Sequence, residues 1–198
     1  MNTRPYKMTS RAESAARTAD SIADAMLQRF GDLPYERIRL EDIALDAGVT
    51  VQTVLRRFGS KPELLVSVVT RELGKIANAR AAVARSLPAE TITALADHYE
   101  KYGELILKTY AEAHLVDGLP AIAARGRAFH VNWCQETFAP HLDPATDEQS
   151  RDRRLAQIVA VCDARTWFIL RIERALSVDQ TKLALDEMIS PLLAPATT

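Results

Sequence analysis

Between Thr50 and Lys61 the chain places Gln52, Thr53, Arg56 and Arg57 on a stretch that holds no acidic residue. Those side chains define a chemistry. A glutamine amide bonds an adenine edge with both ends, a threonine meets a thymine methyl, and an arginine fork grips guanine or a phosphate. Val51, Val54, Leu55 and Phe58 recur at the three- and four-residue spacing of one helical face, which leaves the polar set for the other. An indifferent solvated face usually mixes signs, whereas this one carries only positive charge.

A helix can read base edges only if another element fixes its angle, and the preceding residues supply one. Leu40, Ile43, Ala44 and Ala47 form the apolar side of a short helix whose Glu41, Asp42 and Asp46 face away. Gly48 can then take a left-handed backbone at no steric cost, and the Thr50 hydroxyl can receive the first free amides of the next helix. Two short helices joined by a tight turn containing glycine make a helix-turn-helix unit. Ser10 and Glu13 have capping-box spacing, opening a first helix with an apolar stripe from Ala15 to Phe30 that packs behind the pair. Arg39 stands where a side-chain cap for the second helix is missing and is a candidate phosphate contact.

Ile43-Ala44, Ala47-Gly48-Val49-Thr50, Thr53, Phe58 and Ser60-Lys61-Pro62-Glu63-Leu64-Leu65 together resemble the signature of the TetR family. The resemblance implies that Thr50 to Phe58 is the recognition helix, that Lys61 contacts a phosphate, and that the chain acts as a dimer with a small-molecule effector. Leu55 and Arg57 stand where the family usually has Tyr and His, and Gln52 replaces a frequent Gly. Arg57 can hold a phosphate more firmly than a neutral imidazole, but Leu55 cannot donate a hydrogen bond.

With 198 residues, 47% of them apolar and 26% charged, the composition is that of a soluble globular chain of one or two domains. A formal net charge of -1 means that DNA affinity must arise from a local basic surface. Arg56, Arg57 and Lys61 supply it, and Arg4, Lys7 and Arg11 could add an arm. Cys134 and Cys162 have no CxxC spacing and suit a reducing compartment. No apolar run is long enough for a membrane span, and no targeting segment is recognised, so a cytoplasmic location is expected.

The expected organisation is all-α: a flexible basic leader at 1–9, a three-helix helix-turn-helix domain at 10–60, a linking helix at 61–85, and a helical effector-binding and dimerisation domain at 86–198. Ser60 and Glu63 form a second capping box that opens the linking helix, with Pro62 tolerated in its first turn. Ser86-Leu87-Pro88 marks the boundary. Further helices are expected over 89–113, over 121–138 as one helix or as two divided at Gly126, over 147–176 behind a Thr146–Gln149 capping box, and from a Ser177–Gln180 cap onward. The last two are apolar enough to pair with the same two of another copy, with Leu170, Leu183, Met188 and Leu192 as interface candidates.

Tyr99, Tyr102, Tyr110, Phe129, Trp133 and Trp167 are the candidate lining of an effector pocket, bulky and amphipathic enough to enclose a small molecule. His98, His114, His130 and His141 lack metal-ligand spacing, so neither metal nor cofactor is expected. P-loop, dinucleotide, nucleophile-elbow and HExxH patterns are all missing. His130 and Cys134 at i, i+4 put an imidazole near a thiol, but two groups without an orienting partner are not a catalytic mechanism. The reading is therefore a DNA-binding transcriptional regulator, a homodimeric repressor released from near-palindromic double-stranded operator DNA by a small molecule. The alternative is an all-helical adaptor that binds protein through the same domain.

Overall fold

Ile22, Met26 and Phe30, at four-residue spacing, are fully buried and form the apolar side of the first helix. That helix is α1, Arg4–Asp32, in a computed structural model that describes residues 4–81, 88–142 and 147–193. The capping box places a helix start at Ser10, but the backbone is already helical there. Pro5 is acceptable in a first turn, and no breaker follows it. After α1 come α2 (Leu40–Asp46), α3 (Val51–Phe58), α4 (Lys61–Ala81), α5 (Pro88–Glu112), α6 (Leu119–Phe138), α7 (Glu148–Val161), α8 (Ala164–Phe168) and α9 (Val178–Leu193). Short 3-10 turns occur at Tyr35–Arg37, Ala113–Leu115 and Ala139–His141, and the described residues contain no strand. The fold is all-α, as expected.

Two compact units emerge, the first Met1–Glu72 with Glu112–Ile122, the second Leu73–Ala111 with Ala123–Thr198. The chain passes from the first to the second within α4. Residues 1–3 of the expected leader and the expected boundary at Ser86-Leu87 lie outside the described residues; Pro88 opens α5.

In the first unit, α1 packs on α2 and α2 on α3. Ala47, Gly48 and Val49 turn the chain by donating to Ile43 O, Leu45 O and Ala44 O at 3.0, 3.1 and 2.9 Å. Gly48 sits at φ +65°, where a side chain would strain the backbone. Thr50 caps α3, its Oγ1 accepting from Thr53 N at 3.2 Å. Ser60 and Glu63 form the expected capping box: Ser60 Oγ donates to Glu63 Oε2 at 2.8 Å and accepts from Glu63 N at 3.3 Å. The segment 112–122 is tied to this unit by Tyr35 N, which donates to Glu112 Oε2 at 2.9 Å.

The second unit has its own core, centred on Ile92, Leu95, Tyr99, Trp133, Phe138 and Trp167. Gly126 does not break α6, because one helical glycine costs only about 1 kcal/mol among good helix formers. Its missing Cβ admits the Tyr110 hydroxyl, which a Cβ would meet at 3.2 Å. The long helix expected over 147–176 is instead three pieces: α7, α8 and a π-helical stretch, Ile169–Glu173. Asp163 causes the first interruption, since its carboxylate accepts from Arg165 N at 2.8 Å and restarts the helix. Thr146 lies outside the described residues, and α7 is capped by Asp147, which accepts from Ser150 N at 3.0 Å. Ser177 caps α9 as expected, accepting from Gln180 N at 3.2 Å.

Candidate nucleic-acid interface and a cleft in the second unit

On α3 only Val54 is fully buried, with Val51, Thr53 and Phe58 half-buried and Gln52, Leu55, Arg56 and Arg57 exposed. Leu55, expected to face inward, is 39% exposed, because in an eight-residue helix it lies beyond the edge of the narrow buried stripe. Neither Arg56 nor Arg57 has an ion-pair partner among the described residues. Both guanidinium groups are therefore free to meet phosphate or a base edge. Thr50 and Thr53 are less free, since their hydroxyls share a hydrogen bond of 3.0 Å. The outward base chemistry of the segment rests first on Gln52.

Arg39 is exposed, with its guanidinium 3.5 Å from Glu41, a contact too solvated to hold it. Lys61 is placed differently. Its Nζ donates to Tyr35 O and Ile38 O, both at 2.8 Å, and lies 4.1 Å from the centre of the Tyr35 ring. Burial draws its pKa below the usual lysine range, with Glu36 opposing. Two of its three N–H groups thus anchor the connector between α1 and α2, and one remains for a phosphate.

Sequence reasoning missed the cations that set the frame of this domain. Arg29 on α1 bonds Asp46 at 2.6 Å and lies 3.6 Å from Asp42, which joins α1 to the exposed side of α2. Arg71 Nη2 reaches Asp24 at 2.7 Å and its Nε reaches Glu72 at 3.0 Å, joining α4 to α1. Asp42 and Asp46, one helical turn apart, were the signal for the first of these pairs, since like charges so placed call for a cation.

In the second unit a cleft of about 250 Å³ is lined by Ala79, Arg80, Ala94, Leu95, Asp97, His98, Lys101, Tyr102 and Trp133. Tyr102 and Trp133 are the two expected pocket residues that it brings together. Tyr99 is buried in the core and donates to Cys162 O at 2.7 Å. Trp167 is buried too, its Nε1 donating to Glu100 at 2.8 Å, while Tyr110 and Phe129 are half-buried and outside the lining. Arg80, which composition could not single out, is 5% exposed. Its Nη1 lies 3.1 Å from His130 Nδ1, its Nη2 donates to the Tyr99 hydroxyl, and its Cζ stands 4.7 Å from the Trp133 ring centre. Because an arginine only donates, His130 Nδ1 must accept, and the ring proton sits on Nε2, 3.1 Å from Val159 O. His130 is thus committed to structure, and Cys134 beside it is fully buried.

Of the interface candidates, Leu183 and Met188 on α9 are 49% and 44% exposed, and Leu170 and Leu192 are partly buried against the core. Ile169 and Ile172 on the π-helical stretch are 47% and 42% exposed. No helix among the described residues is long and apolar enough to cross a membrane. Among those residues no group of three His, Cys, Asp or Glu could hold a metal ion.

Residues 22–68 match the family described as bacterial regulatory proteins, tetR family. The fold is similar to that of a transcriptional regulator from Rhodococcus sp. Rha1, at 16% identity and TM-score 0.71, covering 88% of this chain and 95% of that one. It is also similar to a putative transcriptional regulator from Saccharomonospora viridis in complex with choline, at 18% identity and TM-score 0.63, covering 90% and 96%. A third similar structure is the transcriptional regulator FadR from Bacillus subtilis in complex with stearoyl-CoA, at 15% identity and TM-score 0.64, covering 88% and 97%. No curated protein matches the chain in sequence.

Proposed function

We propose that the chain is a homodimeric repressor of the tetR type, whose model its residues 22–68 match, and that its hold on operator DNA is released by a small molecule. The observation that carries this reading is the exposed face of α3, where Gln52, Arg56 and Arg57 stand clear of partners among the described residues. Gln52 and Thr53 read base edges, while Arg57, Arg56, Arg39 and the remaining N–H of Lys61 hold phosphates. In a symmetric pair, two copies of α3 enter successive major grooves about 34–36 Å apart on a near-palindromic site.

The cleft beside Trp133 is the effector site in this reading, which is supported by the ligands bound in regulators of similar fold. Choline and stearoyl-CoA differ in charge and size, so the fold leaves ligand choice to the lining side chains. The effector shifts a pre-existing balance between arrangements of the two heads, only as far as it binds one of them better. α4, which belongs to both units, transmits that preference.

The test is a titration of the full-length protein onto genomic fragments selected for binding, across a series of salt concentrations. The expected result is a log-linear fall in affinity with log salt, with a slope set by the phosphates neutralised. A salt-insensitive interaction, or no fragment enriched over random DNA, would favour the protein-binding adaptor instead.

A further inference from the structure

Arg80 and His98 both line the cleft in the second unit, and both keep a buried nitrogen, Nε and Nε2, without a hydrogen-bond partner among the described residues. Two unpartnered buried nitrogens on one cleft are uncommon, because buried polar groups are nearly always paired. The larger anomaly is charge. Arg80 is buried with a histidine, a tyrosine hydroxyl and two aromatic faces around it, and no carboxylate among the described residues pairs with it. A buried cation without a carboxylate partner is unfavourable and is offset here only in part by Cys134, whose thiol is drawn down to about 6 first by its hydrogen bond to Cys162 and then, against burial, by His130 and Arg80; an anion arriving from outside would lower what remains.

The rest of the lining agrees in sign. Lys101 has no ion pair among the described residues, its Nζ resting 5.0 Å from the Tyr102 ring centre. Asp97, the one acid in the lining, is held by Lys182 at 2.7 Å. Burial, then Arg80, then Lys101 bring the His98 pKa down to about 3, so the imidazole is neutral near pH 7 and can offer an N–H without adding charge.

We propose that the cleft takes a small organic carboxylate, its head between Arg80, His98 and Lys101 and its apolar body against Trp133, Tyr102 and Leu95. Nη1 and Nη2 of Arg80 each spend one N–H, on His130 and on Tyr99, so of its five N–H groups Nε–H and one on each Nη remain unspent. A phosphate monoester would bring up to two charges beside Asp97, where a carboxylate brings one. A cleft of about 250 Å³ can take the body of an aromatic or medium-chain acid. This assignment rests on the reading of the cleft as the effector site, but its chemistry can be tested without DNA.

Benzoate and octanoate would be titrated onto the full-length protein by calorimetry, each beside its uncharged amide, with benzylamine as the cationic control. The expected result is that at least one acid binds about tenfold or more tightly than its amide and that benzylamine does not bind. Lys101→Gln should reduce that preference several-fold, and Arg80→Met should abolish it. Equal affinity for acid and amide, preference for the amine, or no binding of either acid at millimolar concentration would overturn the proposal. If Arg80→Met does not fold, the wild-type comparison and Lys101→Gln still decide. DNA binding measured on the same preparation separates the two readings. Salt-dependent DNA binding without acid preference removes only the carboxylate assignment, and acid preference without DNA binding removes only the regulator.

Discussion

Arg29 Nε lies 2.6 Å from Asp46 Oδ2, so the last turn of α1 is bonded to the last residue of α2 just before the chain turns into α3. The hydrogen bond from Arg29 holds the Asp46 carboxyl below its ordinary range, and a carboxylate depressed by folding stabilises the folded state only while it is ionised. Its contribution is complete above the unfolded pKa, near 3.8, and is lost as the pH falls through the lower folded value. Asp46→Asn should therefore lower the melting temperature near pH 7 and make no difference at a pH below both values. Thermal unfolding of the two proteins over that range checks this, and a gap that persists in acid would mean that Asp46 acts by packing.

Three glycines separate backbone strain from crowding. A Cβ on Gly48 would meet nothing within 4 Å, so Gly48→Ala pays only for φ +65°, about 1–2 kcal/mol. A Cβ on Gly103 would come within 2.5 Å of the Trp167 ring, and repacking that buried ring should outweigh the helix propensity gained, for a net loss of about 1–3 kcal/mol. Gly74 in α4 has ordinary helical geometry and open space, so Gly74→Ala should gain about 0.5–1 kcal/mol. Denaturant midpoints of the three variants give the order, and a stabilised Gly103→Ala would show that the tryptophan can yield.

What the sequence disclosed depended on the range of each interaction. The α2–Gly48–α3 turn, the Ser60–Glu63 box and the Ser177 cap use partners within a few residues, and pattern alone placed them. The break at Asp163 was also local, with an aspartate cap inside an apolar run, but the strong helical period of 147–176 masked it. Arg29, Arg71 and Arg80 were invisible for a different reason. Their partners lie 17, 47 and 50 residues away, and an arginine on a helix gives no sign of whether it faces water or a distant aspartate or histidine. The cleft was half legible, because aromatic composition pointed to Trp133 and Tyr102 but not to the buried Arg80 that lines it with them.

On α3, Arg57→Ala should weaken binding to all DNA sequences alike and reduce the salt slope by about one phosphate, whereas Gln52→Ala should narrow the gap between operator and random DNA. The loss at a glutamine–adenine pair is about 1–3 kcal/mol on the specific site alone. Thr53→Ala is a mixed case, since its hydroxyl is bonded to Thr50 and part of its effect is loss of that local contact. Fluorescence anisotropy with specific and random duplexes at several salt concentrations distinguishes them. An unchanged slope in Arg57→Ala would take Arg57 out of the phosphate contacts.

Leu183 and Leu185 stand two residues apart on α9, one 49% exposed and the other 1% exposed. An exposed large apolar side chain on the element expected to meet a second copy is where an interface should be sensitive while the fold is not. Leu183→Glu should leave the unfolding free energy of the subunit within about 0.5 kcal/mol yet place a charge in the apolar contact. The chain should then sediment as a monomer, and its operator affinity should fall by roughly 10²–10⁴, the avidity lost when two heads no longer bind together. Leu185→Ala is the contrasting variant: it opens a cavity and should cost about 2–5 kcal/mol of stability while the interface chemistry is untouched. If Leu183→Glu remains a dimer in sedimentation, the contact lies on another face, and Met188 with Ile172 would be the next pair to charge.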